Sequence, residues 1–88
     1  MKMSDGFELV HIADEHMAVP VGEKADKVKG LVVLSPAASF LLENMKEDKT
    51  VDELVTLLTG EYNVDREKAH ADIEEMVGSL RTVGLIVG

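Results

Sequence analysis

The apolar pattern of this chain changes period once, at Ser35-Pro36, and that change constrains the fold more than any other feature. Before it lie short runs rich in Val, Ile and Phe, the pattern of strands. After it, apolar residues recur at spacings of three and four, the pattern of helices packed on one side. Proline lacks the N–H that a helix interior needs, but at a first helical position that N–H would have no partner anyway. Ser35 before it can cap, so the pair predicts where sheet gives way to helix. With 88 residues there is room for one domain and one core.

The sheet half divides in three. Phe7–Ile12 and Met17–Val21 are separated by a break at Asp14-Glu15, short enough to imply an antiparallel hairpin. Pro20 has no N–H for a ladder, so its vacant side must face away from the pairing neighbour or sit at a bulge. Gly22–Gly30 is predicted to be a charged loop bracketed by glycines. It leads to Leu31-Val32-Val33-Leu34, a third strand apolar on both faces. Such a strand is either fully buried or left with an exposed face awaiting a partner.

Three helices are predicted to follow. Ala38, Leu41, Leu42 and Met45 mark one face of the first, which ends in the charged turn Lys46–Lys49. Thr50-Val51-Asp52-Glu53 has the capping-box pattern. Val51, Leu54, Val55 and Leu58 form the stripe of the second helix, with Gly60 near its end. Asp65 can cap a third helix over 66–83, striped by Ala69, Ile73, Met76, Val77, Leu80 and Val83. Gly84 offers its terminus, and Leu85-Ile86-Val87 a tail against the core. The fold class is α+β: a three-stranded antiparallel sheet, then three helices, like a winged helix-turn-helix.

Charge and composition remove several functions. The chain has 9 Lys and Arg against 17 Asp and Glu, a net charge of −8, which repels phosphate backbones and anionic lipid. It has no cysteine, which excludes disulfides, thiolate metal sites and cysteine nucleophiles. No aliphatic run approaches a membrane span, and Glu8 and His11 interrupt any secretory apolar region. The expectation is a soluble cytoplasmic protein with neither nucleic-acid nor membrane partners.

Catalytic sets are equally thin. His11 and His16 flank a turn, but no third metal ligand is suggested by spacing. Asp14-Glu15, Asp52-Glu53 and Glu74-Glu75 read as solvated turns and helix faces. Neither a phosphate-binding glycine loop nor a nucleophile elbow is present. A carrier-protein reading fails because Gly78-Ser79-Leu80 lies deep in the last helix. A DNA-binding winged helix would want a basic recognition helix, whereas residues 66–83 carry Glu67, Asp72, Glu74 and Glu75 against Arg66, Lys68 and Arg81. The expectation is a non-enzyme without catalytic residues, metal or cofactor. Peptide or protein recognition fits the charges better than DNA does, with a DNA-binding winged-helix regulator as the runner-up.

Val19-Pro20-Val21-Gly22, Gly30-Leu31-Val32-Val33-Leu34-Ser35 and Phe40-Leu41-Leu42 together resemble the PqqD family. So do Tyr62-Asn63-Val64-Asp65, Asp72-Ile73, Leu80 and Val83-Gly84-Leu85. That family, named for pyrroloquinoline quinone biosynthesis protein D, is the prototype of the RiPP recognition element. The resemblance spans about residues 8 to 87. Ser35 stands where the family usually has Asn, and Leu42 where it often has Trp.

The resemblance implies an adaptor for the leader of a ribosomally made precursor peptide. Such an adaptor presents the peptide to a modifying enzyme, often of the radical S-adenosylmethionine type. It leaves open whether the product is the quinone cofactor or another peptide. It further implies that the leader adds as a strand beside Leu31, Val32, Val33 and Leu34 and lies against the third helix. On that helix Asp72, Met76 and Ser79 share one flank, and His70, Glu74 and Arg81 the other. The first flank mixes an adaptable Met with hydrogen-bonding groups, so Asp72, Ile73, Met76, Ser79 and Leu80 are the candidate groove residues. An unpaired edge is an association hazard, so a weak homodimer through the third strand is expected without peptide.

Overall fold

A computed structural model describes residues 1–27 and 30–88. Its elements run β1 (Lys2–Met3), β2 (Phe7–Ile12), β3 (Glu15–Pro20), α1 (Glu23–Lys27), β4 (Val32–Leu34), α2 (Pro36–Glu43), α3 (Val51–Glu61), α4 (Arg66–Thr82) and β5 (Ile86–Val87). The expected strands 7–12, 17–21 and 31–34 correspond to β2, β3 and β4, except that β3 starts at Glu15, inside the expected break, and ends before Val21. The three expected helices are α2, α3 and α4. The expected loop over 22–30 is corrected in part, because Glu23–Lys27 forms a short fourth helix. Val28 and Lys29 of that loop lie outside the described residues. Leu31 precedes β4 and is not part of it.

The hairpin closes on Ile12 opposite Glu15, leaving Ala13-Asp14 as a two-residue turn. Ala13 sits at φ 54°, a backbone region that glycine occupies at less cost. The register pairs Phe7 with Pro20 and continues without a bulge to the turn. β3 then pairs antiparallel with β4, matching His16 with Leu34, Met17 with Val33 and Ala18 with Val32. The sheet order is therefore β2-β3-β4, with β3 central.

Local capping chemistry sets the helix starts. The Ser35 hydroxyl accepts from the Ala38 N–H at 3.1 Å, and Pro36 opens α2. Thr50 and Glu53 form the reciprocal capping box of α3, with bonds of 3.0 and 3.2 Å. The Thr50 backbone N–H, then its hydroxyl, hold the Glu53 carboxyl below the ordinary glutamate range. Asp65 caps α4 by accepting from the Lys68 N–H at 2.8 Å. α4 ends in a turn where Gly84 takes φ 81° and the Leu85 N–H reaches back to the Leu80 carbonyl at 2.9 Å.

That turn sends the tail into the core, where Leu85 and Ile86 are fully buried. β5 pairs there with β1, Met3 opposite Ile86, in a second, two-stranded sheet absent from the sequence expectation. The N-terminal segment is tied down further, as the Met3 N–H donates to Met45 and the Ser4 N–H to Leu85, both at 2.8 Å. One core joins Phe7, Ala18 and Leu34 of the main sheet to Leu41, Leu42, Leu54, Ile73 and Val77 of the helices. Each fully buried Leu or Ile contributes about 1.5–3 kcal/mol, and Leu42 completes the packing without the bulk of a Trp.

Candidate functional site

Hydrogen bonding in an antiparallel ladder alternates, so one known bond assigns the direction of every other backbone group. The Val21 N–H donates to the Gly6 carbonyl at 2.9 Å. In the same register the bonded pairs of the hairpin are Glu8 with Val19, Val10 with Met17, and Ile12 with Glu15. His11 and His16 fall at a non-bonded position, where side chains approach most closely, and their rings stack with centroids 3.9 Å apart.

The same alternation fixes β4. Met17 spends its N–H and carbonyl on β2, so β4 bonds to β3 through His16–Leu34 and Ala18–Val32. Val33 is left with both backbone groups directed away from β3, at an edge of the sheet that no strand covers among the described residues. Pro20 belongs to the series that faces β4. Its missing N–H therefore points away from β2 and beyond the last β3–β4 pair, as the sequence required.

Side chains alternate as well. Leu34 is buried and Val32 packs against the core, whereas Val33 is 66% exposed on the opposite face. Leu31 is also exposed. A groove of about 260 Å³ begins where β4 ends. Ser35, Ala37, Ala38 and Leu41 form one wall, Leu58 the end, and Asp72, Ile73 and Met76 of α4 the other wall. The structure thus brings three of the sequence-predicted α4 residues to the hollow that adjoins the edge strand. Ile73 is buried and supplies floor, Met76 is half-buried, and Asp72 is exposed at the rim. Asp72 lies 3.5 Å from Lys68 one turn earlier, a solvated pair that leaves its carboxylate accessible. Ser79 is exposed and Leu80 belongs to the core, and neither lines this groove.

The α2 wall was not anticipated. Ala37 and Ala38 follow the cap, and their small side chains leave the first turn of α2 hollow toward α4. The run Ser35-Pro36-Ala37-Ala38-Ser39 is the signal that could have shown it. The other free edge, β2, adjoins a hollow that mixes Met3, Phe7 and Leu9 with Glu8, Glu43 and Lys46. It has a charged lining where the β4 groove has an apolar floor. Among the described residues, no three His, Cys, Asp or Glu side chains gather as metal ligands. Among them also, no helix is long and apolar enough to cross a membrane.

The solved structure of TbiB1 in complex with the TbiA(beta) leader peptide is similar to this chain, with a TM-score of 0.78 and 26% sequence identity. The match covers 100% of this chain and 96% of that one, so the likeness extends to the whole α+β architecture. No curated protein matches the chain in sequence. The family model for coenzyme PQQ synthesis protein D matches residues 10–86, from the outward face of β2 to the tail strand. That span takes in β3, β4 and the second half of β2, the groove and all three capped helices, and the chain belongs to the PqqD family.

Proposed function

We propose that this protein is a non-catalytic adaptor that binds the leader of a ribosomally made precursor peptide as a fourth strand beside β4. The observation that carries the reading is the free edge at Val33, next to an apolar-floored groove between α2 and α4. Backbone pairing to Val33 supplies affinity irrespective of side chains, while alternate leader side chains enter the groove and supply selectivity. Family membership and likeness to a leader-bound structure support the same reading.

Leu31 and the edge-strand residues Val32, Val33 and Leu34 play different parts. Val33 pairs with the leader, Val32 and Leu34 hold β4 to β3, and Leu31 offers apolar surface beyond the strand. On α4, Ile73 and Met76 contact the leader, Asp72 accepts a hydrogen bond at the rim, and Leu80 supports the helix from the core. Ser79 continues the Asp72–Met76 flank toward a leader long enough to reach it. The chemistry is performed by a separate modifying enzyme, of the radical S-adenosylmethionine type or another, and this cytoplasmic chain carries no cofactor. Three residues of edge are too few for a strong homodimer, so any self-pairing through β4 is weak and competes with the leader.

The test is calorimetric titration of the full chain with the precursor peptide encoded beside its gene. The leader segment alone should bind as tightly as the whole precursor, and the remaining core segment should not bind. Binding confined to the core segment, or to neither, contradicts the reading.

A further inference from the structure

The main sheet is apolar on both faces, although among the described residues α2, α3 and α4 form the core with only one of them. The inward series Phe7, Leu9, Ala18, Val32 and Leu34 belongs to or packs on the core. The outward series Val10, Ile12, Met17, Val19, Leu31 and Val33 does not. An antiparallel sheet with one face in water ordinarily shows polar residues there. Here the register lines up Val10, Met17 and Val33 across all three strands. Ile12 is 62% exposed and Leu31 49%, and α1 adjoins β3 at the corner where Ala25, Val19 and Leu31 line one hollow. A contiguous apolar patch of this kind marks an interaction site.

We infer that this outward face is the docking surface for the peptide-modifying enzyme, through a surface apolar at its centre and basic at its rim. The inference rests on the leader-binding reading. Charge selects the occupant. The charged positions that β2 and β3 place on this face are Glu8 and Glu15, whereas α1 beside the Leu31 corner is mixed, with Glu23 and Asp26 against Lys24 and Lys27. Glu8 and Glu15 alternate with the apolar residues on the patch itself. A second copy would set acid against acid between chains that each carry −8, whereas a basic rim is attracted and steered. Position supports the same occupant. A leader strand added at Val33 extends this very face, and every second leader side chain emerges beside Val33. An enzyme seated on the patch therefore meets adaptor and bound peptide on one continuous surface, next to the segment it must modify.

The experiment titrates the purified modifying enzyme encoded beside the gene into the full chain, with and without the leader segment. Ile12→Glu, at an exposed position that leaves the core untouched, should weaken enzyme binding at least tenfold and change leader affinity less than twofold. Glu8→Lys with Glu15→Lys should weaken it at least fivefold at low salt, with most of that difference gone at 0.5 M salt. Enzyme affinity unaffected by both variants overturns the inference. So does a wild-type dimer that Ile12→Glu abolishes while enzyme affinity is retained, because the face would then belong to a second copy. Because enzyme binding is measured without leader as well, failure of leader binding alone refutes only the peptide reading.

Discussion

Replacing Val33 by proline separates binding from folding, because the N–H it removes faces away from the rest of the chain. Val33 is opposite Met17 at a non-bonded position of the β3–β4 ladder, so no intramolecular hydrogen bond is lost. Its side chain is largely exposed, so little burial is lost either. Proline is tolerated at an edge strand whose N–H side faces solvent, and Val32 before it is already extended, as a residue preceding proline prefers. The leader loses a donor for one of its carbonyls, which is then held at a partly desolvated edge. Such a stranded group costs about 1–3 kcal/mol. At about 1.4 kcal/mol per tenfold, that is roughly a 5- to 150-fold loss of affinity. Val32→Pro is the control. It deletes the N–H that faces Ala18, breaks one of the two bonded pairs holding β4, and disturbs a residue packed on the core. The assay is leader titration by calorimetry, paired with urea unfolding of each variant. Val33→Pro should keep its unfolding midpoint near wild type while losing affinity, and Val32→Pro should lose stability first. Equal affinity in Val33→Pro and wild type would refute the assignment of the free edge.

Ala13→Gly should stabilise the fold by up to about 1 kcal/mol, because it relieves the positive φ at the hairpin turn. Thermal unfolding would show this as a rise of a few degrees. Met76→Ala should weaken leader binding several-fold with a modest stability cost, whereas Ile73→Ala, at a fully buried site, should cost about 2–5 kcal/mol of stability. Thr50→Ala should cost about 1 kcal/mol in urea unfolding through loss of the α3 cap. Glu53 titrates below its ordinary value in the folded state, so its contribution is full above the ordinary glutamate range and is lost as pH falls through the lowered value. The stability gap between wild type and Glu53→Gln should therefore be largest near neutrality and fade on acidification over that window.

The helical half was legible because its signals are local. Ser35, Thr50 and Asp65 cap the helices that their spacing predicts, and Gly84 ends α4, since each device involves residues no more than about five apart. The main hairpin was legible from its short turn, and the third strand from its apolar, β-branched run. The β1–β5 pair was not, because it joins Lys2–Met3 to Ile86–Val87 across the whole chain and two residues show no period. Nor was α1, whose Glu-Lys-Ala-Asp-Lys sequence has no apolar stripe to announce a helix.

The site was half legible. An apolar third strand pointed to an edge, but which of its residues faces outward depends on the bonding phase of the hairpin, and so on the length of the turn at Ala13-Asp14. Helical spacing put Asp72 and Met76 on one flank of α4. It could not show that Ala37 and Ala38 of α2 complete the groove, because that wall is made by packing.

Hydrogen exchange at individual amides during titration with the leader segment tests the central claim most directly. With the leader bound, the Val33 amide should become strongly protected, Val32 and Leu34 should change little because their N–H groups already face β3, and side-chain shifts should gather on Met76 and Ile73. Protection that appears instead at Leu9 and His11, on the free edge of β2, with Val33 unchanged, would place the leader on the wrong side of the sheet and contradict the account.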